Sequence, residues 1–98
     1  MKFRLVPLAV VAAILVTPAV AAEKVKIGFV TTLTTPAGVI GRDMKDAFDL
    51  AYQHIGGKMA GLDIQIIYED DGFKPEIGKQ KTDKLVRQDD VNFVTGYI

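Results

Sequence analysis

The side chains able to do chemistry in this chain are few and far apart. His54 is the only histidine, and the sequence contains neither cysteine nor serine. A thiol or serine nucleophile is therefore excluded, and a lone histidine leaves a metal without the partners it needs. The densest polar cluster is Asp70-Asp71. Adjacent carboxylates can hold a divalent cation or accept from a ribose hydroxyl; here they read as a solvated turn that caps the helix after it. A phosphoacceptor pair would belong at the end of the first strand, where the chain has Val30-Thr31-Thr32. The other cluster is Thr31, Thr32, Thr34 and Thr35, followed by apolar Val39 and Ile40. As a site, these threonines donate to a bound molecule while Ile40 walls a pocket. As plain structure, they are turn formers and a helix staple. The tyrosines read as packing. No catalytic residue, metal ligand or cofactor is assigned.

These groups need elements to position them. Lys24 to Val30 ends in an apolar run and reads as a strand entering a sheet. Thr31 to Gly41 is expected to be a loop, because threonine, proline and glycine recur along it. From Arg42 the period becomes helical: Met44, Ala47, Phe48, Ala51 and Ile55 share one face, and Gly56-Gly57 ends the helix. Lys58 to Gly61 is a connector, and Leu62 to Tyr68 is a β-branched second strand. A polar loop then leads to Pro75, which starts a helix running to about Gln88 with Ile77, Leu85 and Val86 as its apolar residues. Val91 to Tyr97 is the third strand.

The fold class that follows is α/β, a βαβαβ start of a doubly wound parallel sheet. Two helices on three parallel strands are expected to leave one face short of cover, so the chain reads as an N-terminal piece of a larger protein. Ligands of such sheets bind beyond the carboxyl ends of the strands. The loops to watch are therefore 31–41, 70–74 and whatever follows Tyr97. The first has Gly38 and Gly41 but no G-x-G-x-x-G and no P-loop lysine, which speaks against a nucleotide.

The first residues address the protein. Lys2 and Arg4 precede twelve uncharged residues, Leu5 to Val16, and then Thr17-Pro18-Ala19-Val20-Ala21-Ala22. That is a signal peptide, with cleavage expected after Ala22; a membrane span needs roughly 20 apolar residues. Residues 23–98 form the domain piece. Taking 22 from 98 residues leaves 76, and losing Lys2 and Arg4 leaves ten basic against twelve acidic side chains, a net −2. No basic face invites nucleic acid. With no cysteine for a lipid anchor or a disulfide, a free periplasmic protein is expected, with no membrane insertion after signal removal.

The order of these segments is specific. A K-V-K-I-G-F-V strand leads to T-P-A-G-V-I-G (Thr35 to Gly41) and a helix closing at Ile55-Gly56-Gly57. Gly61-Leu62, Asp70-Asp71 with Pro75, and Val91-Asn92-Phe93-Val94-Thr95-Gly96 follow. The whole pattern resembles the start of a periplasmic solute-binding protein of ABC importers, of the leucine/isoleucine/valine-binding type.

The resemblance implies a two-lobed protein several times longer, which traps its ligand by hinge closure and docks on an inner-membrane permease. It places a bulky ligand-facing side chain at Ile40, with Val39 beside it, and Tyr97 at the end of the third strand. The main carboxylate-binding residues of such proteins would come just after Ile98. This chain departs from the pattern in having Thr34-Thr35-Pro36 where amino-acid binders often have S-G-P. It also has Phe73 where some carry a disulfide. An aliphatic Ile40 suits a branched-chain amino acid or an aromatic or aliphatic carboxylate, and these residues do not choose. The rival readings are a ligand-sensing module of the same fold, a doubly wound enzyme, and a truncated remnant without function. Export and the missing glycine fingerprint disfavour the enzyme.

Overall fold

The computed structural model describes residues 2–3, 14–15 and 23–98. Apart from those first four positions, the expected leader lies outside the described residues, as does its cleavage point. The elements are β1 (Lys24–Thr31), α1 (Gly38–His54), β2 (Lys58–Met59), β3 (Leu62–Asp70), α2 (Pro75–Arg87) and β4 (Phe93–Gly96). They form one sheet in the order β2-β3-β1-β4. β1 is parallel to β3 from Lys24↔Asp63 to Thr31↔Asp70, and parallel to β4 from Ile27↔Phe93 to Val30↔Gly96.

Side chains of β1 alternate between two covered faces. Phe29 lies on one, its ring 4.9 Å from Phe48 of α1 and 5.4 Å from Tyr68 of β3. Gly28 lies on the other, where a Cβ would come 2.8 Å from Cδ1 of the fully buried Leu85 of α2. The path from β1 to β3 steps one way along the sheet, and that from β3 to β4 steps back past β1. Right-handed crossovers that reverse direction place their helices on opposite faces. Each face therefore carries one helix, rather than one face being left bare as the strand count implied. Ile27, Phe29, Val30, Ile64 and Leu85 are the buried apolar core.

Four local expectations are corrected. α1 begins at Gly38, not Arg42. Gly38 and Gly41 are buried against the Leu33 and Thr32 carbonyls, so the glycines that suggested a loop are what lets the first turn dock. The inward face of α1 is Gly41, Met44, Phe48 and Tyr52, while Ala47, Ala51 and Ile55 are exposed. The connector contains a short strand, Lys58–Met59, antiparallel to β3, made possible by left-handed Ala60 and Gly61. Finally, β4 is shorter than expected. Asn92 uses its side-chain oxygen on the Lys26 N–H at 2.9 Å, and Tyr97 leaves the strand with φ +68°.

Candidate functional site

The sheet brings the carboxyl ends of β3, β1 and β4 side by side. The crossovers from β1 and to β4 run in opposite directions, so the crevice between these two strands is the switch point where such sheets bind ligands. Gly96 makes the crevice narrow. Its φ is +103°, and a Cβ there would overlap the Val30 carbonyl oxygen, which the Tyr97 N–H reaches at 2.6 Å. A larger residue at 96 would push β4 away from β1.

Of the candidate ligand contacts, Val39 and Ile40 stand in the first turn of α1 and are 54% and 52% exposed. Tyr97 is half exposed across the crevice, its phenol 2.6 Å from Thr82 Oγ1 on α2. Tyr97 and Ile98 share a groove of about 630 Å³ with Asp71, Phe73, Pro75 and Thr82. Val39 and Ile40 do not line this groove. The structure thus brings all three candidates to one edge of the sheet but leaves them on two sides of it. Phe73 was missed as a surface feature: it is 62% exposed, with φ +61°, beside the carboxyl edge. A lone aromatic in an otherwise polar loop after Gly72 was the available signal.

The acidic pair does not cap α2, whose N-cap is Lys74 with no side-chain bond. Thr32 Oγ1 instead donates to Asp71 at 2.6 Å, and Thr34 Oγ1 donates to Asp70 at 2.7 Å. Burial pushes the Asp70 carboxyl up, but N–H bonds from Leu33 and Gly72 and the Thr34 hydroxyl outweigh it and hold the group below the usual carboxylate range. These two threonines are therefore engaged within the protein. Farther in, between α1 and β3, Tyr68 donates to Asp49 and Lys45 lies 4.5 Å over the Tyr68 ring. Burial, then the Asp49 carboxylate, pushes the Tyr68 phenol above its ordinary range. Among the described residues no cluster of three or more potential metal ligands occurs. The edge offers apolar side chains at Val39 and Ile40, backbone groups and the Tyr97 ring.

The profile of the periplasmic binding protein family matches residues 24–98. The chain belongs to the periplasmic binding protein family. Among solved structures of this family's fold, an ABC transporter substrate-binding protein from Sphaerobacter thermophilus is 32% identical, with a TM-score of 0.71 over 74% of this chain and 19% of that one. A solute-binding protein of an ABC transporter from Rhodopseudomonas palustris BisB5, solved with 3,4-dihydroxybenzoic acid, is 27% identical, with a TM-score of 0.70 over 72% of this chain and 20% of that one. An R. palustris solute-binding protein solved with benzoate shares the fold at 22% identity, with a TM-score of 0.73 over 78% and 21%. This chain thus spans about a fifth of these periplasmic binding proteins and corresponds to the first lobe of their type I fold. No curated relative matches the sequence. The family is one of periplasmic substrate-binding transport proteins, not enzymes. Among the described residues no helix is long and apolar enough to cross a membrane.

Proposed function

We propose that this lobe belongs to the solute receptor of an ABC importer, exported to the periplasm and cleaved after Ala22. It captures a small carboxylate with an apolar body and delivers it to an inner-membrane permease. The observation that carries this reading is the exposure of Val39 and Ile40, 54% and 52%, at the carboxyl edge of a family-typical sheet. Large apolar side chains left open at the binding edge suit a ligand with apolar surface to bury. Tyr97, just past β4, offers an aromatic ring on the α2 side of the same edge.

Two classes of solute fit: branched-chain amino acids, and aromatic acids such as those held by the R. palustris relatives. The aromatic acids are preferred, because the relative solved with dihydroxybenzoate is 27% identical to this chain. Titration calorimetry on the full-length protein with benzoate, 3,4-dihydroxybenzoate, leucine, isoleucine and valine tests this. Binding of a benzoate in preference to the amino acids is expected. Leucine bound alone would reverse the preference, and no binding to any of the five would remove the reading.

A further inference from the structure

Asp70 ends β3 and Asp71 follows it, beside the segment that leaves β1, and both side chains turn toward that segment. Asp71 is 7% exposed. Its Oδ1 accepts from the Thr32 hydroxyl at 2.6 Å and from the Phe73 N–H at 2.8 Å. Asp70 Oδ1 accepts from the N–H groups of Leu33 and Gly72, both at 2.9 Å, and its Oδ2 accepts from the Thr34 hydroxyl at 2.7 Å. Each carboxylate therefore joins the loop after β1 to the loop after β3. The clamped segment in turn seats α1. A Cβ at Gly41 would overlap the Thr32 carbonyl oxygen, so this turn of the helix rests directly on that backbone. One residue on, Arg42 Nη1 donates to the Leu33 carbonyl at 2.7 Å.

We propose that Asp70 and Asp71 are positioning residues: they fix Thr32–Thr34 and, through the seat of Gly41 and Arg42, set where Val39 and Ile40 stand at the ligand edge. The consequence for binding rests on the proposed solute-receptor reading; the geometry does not. Hydrogen bonds to ionised carboxylates are roughly twice as strong as neutral ones, which suits a latch. A loop ordered before the ligand arrives does not have to be ordered by it, and affinity gains accordingly.

The test uses the full-length protein with Asp70→Ala, Asp71→Ala, Asp70→Asn and the near-isosteric Thr32→Val. The last keeps the question answerable where an alanine variant fails to fold. Amide hydrogen exchange and benzoate affinity are read on each. In Asp70→Ala the Leu33 and Gly72 amides should exchange about tenfold faster or more, while core amides such as Phe29 keep their protection. Asp70→Asn retains Oδ1 and should recover most of that protection. Thr32→Val should speed exchange in the loop after β1 severalfold, again sparing Phe29. Benzoate affinity should fall about three- to tenfold in the alanine variants and return in Asp70→Asn. Unchanged Leu33 protection, or protection lost evenly across β1, overturns the latch. So does loosened exchange with benzoate affinity intact. A wild-type protein that ignores benzoate counts against the solute assignment alone, and the exchange pattern then decides the latch by itself.

Discussion

Ile40 is large, apolar and half exposed in the first turn of a helix at the carboxyl edge of the sheet. Ile40→Asp should weaken capture of a benzoate or leucine probe by the full-length protein. An unpaired carboxylate pressed against an apolar solute costs on the order of 3 kcal/mol, about a hundredfold in affinity. Calorimetry showing unchanged affinity would take Ile40 out of the site. Asp70 carries a second expectation. It ionises more readily in the folded protein than in the unfolded chain, where about 3.9 applies. Its stabilisation is complete above that value and is lost as pH falls through it toward the folded one. Asp49 and Glu69, both held down chiefly by lysine partners, act in the same direction. Urea midpoints should therefore be level from about pH 5 to 7 and decline below about 4, with Asp70→Asn showing less of the decline. Stability that rises on acidification would contradict this. The sequence displayed all these residues but hid their partnerships. Nothing local in Thr32-Leu33-Thr34 says that carboxylates some forty residues later will accept from it.

The element scale was the most legible, because hydrophobic period survives without knowledge of partners. The β-branched run at Ile64, Ile66 and Ile67 became a strand starting at Leu62 as expected, and the helical spacing from Met44 to Phe48 became part of a helix whose start lies a turn earlier than expected. Failures came where tertiary contact overrides local preference. Glycine argues against helix in isolation, yet Gly38 and Gly41 lie in α1 because only a residue without a side chain fits against the β1 exit. The inward face of α1 was misjudged for the same reason, since the closest approach is through Gly41 rather than through an alanine. α2 is simpler: Gly78 packs against Asp71 just past β3, and Leu85 is wholly buried over Gly28 of the sheet. Leu85→Ala should lower the lobe's stability by about 2–5 kcal/mol, as for other leucines truncated in closed cores. Denaturant unfolding followed by circular dichroism measures it; a loss under about 1 kcal/mol would mean that the site collapses around the gap.

At the scale of the molecule, the surface departs from that of a self-contained domain. Leu50, Ile55, Met59, Leu62, Val86 and Phe93 are all more than a third exposed. Together with Ala51 and Tyr52, Ile55 and Met59 line a small apolar groove against Ile27, Phe48, Ile64 and Ile66. Residues 23–98 produced by themselves should bind a hydrophobic dye and self-associate as concentration rises. Sedimentation velocity showing a dye-silent monomer at 100 μM, roughly the range where weak apolar association becomes visible, would refute this. A two-lobed receptor inherits a division of labour from the engaged threonines described above. Thr32 and Thr34 already give their hydroxyl protons to Asp71 and Asp70, so this jaw has none of those hydrogens left for a solute's head group. If the proposed solute-receptor reading holds, Thr32 and Thr34 serve the fold of this edge rather than the head group of the solute.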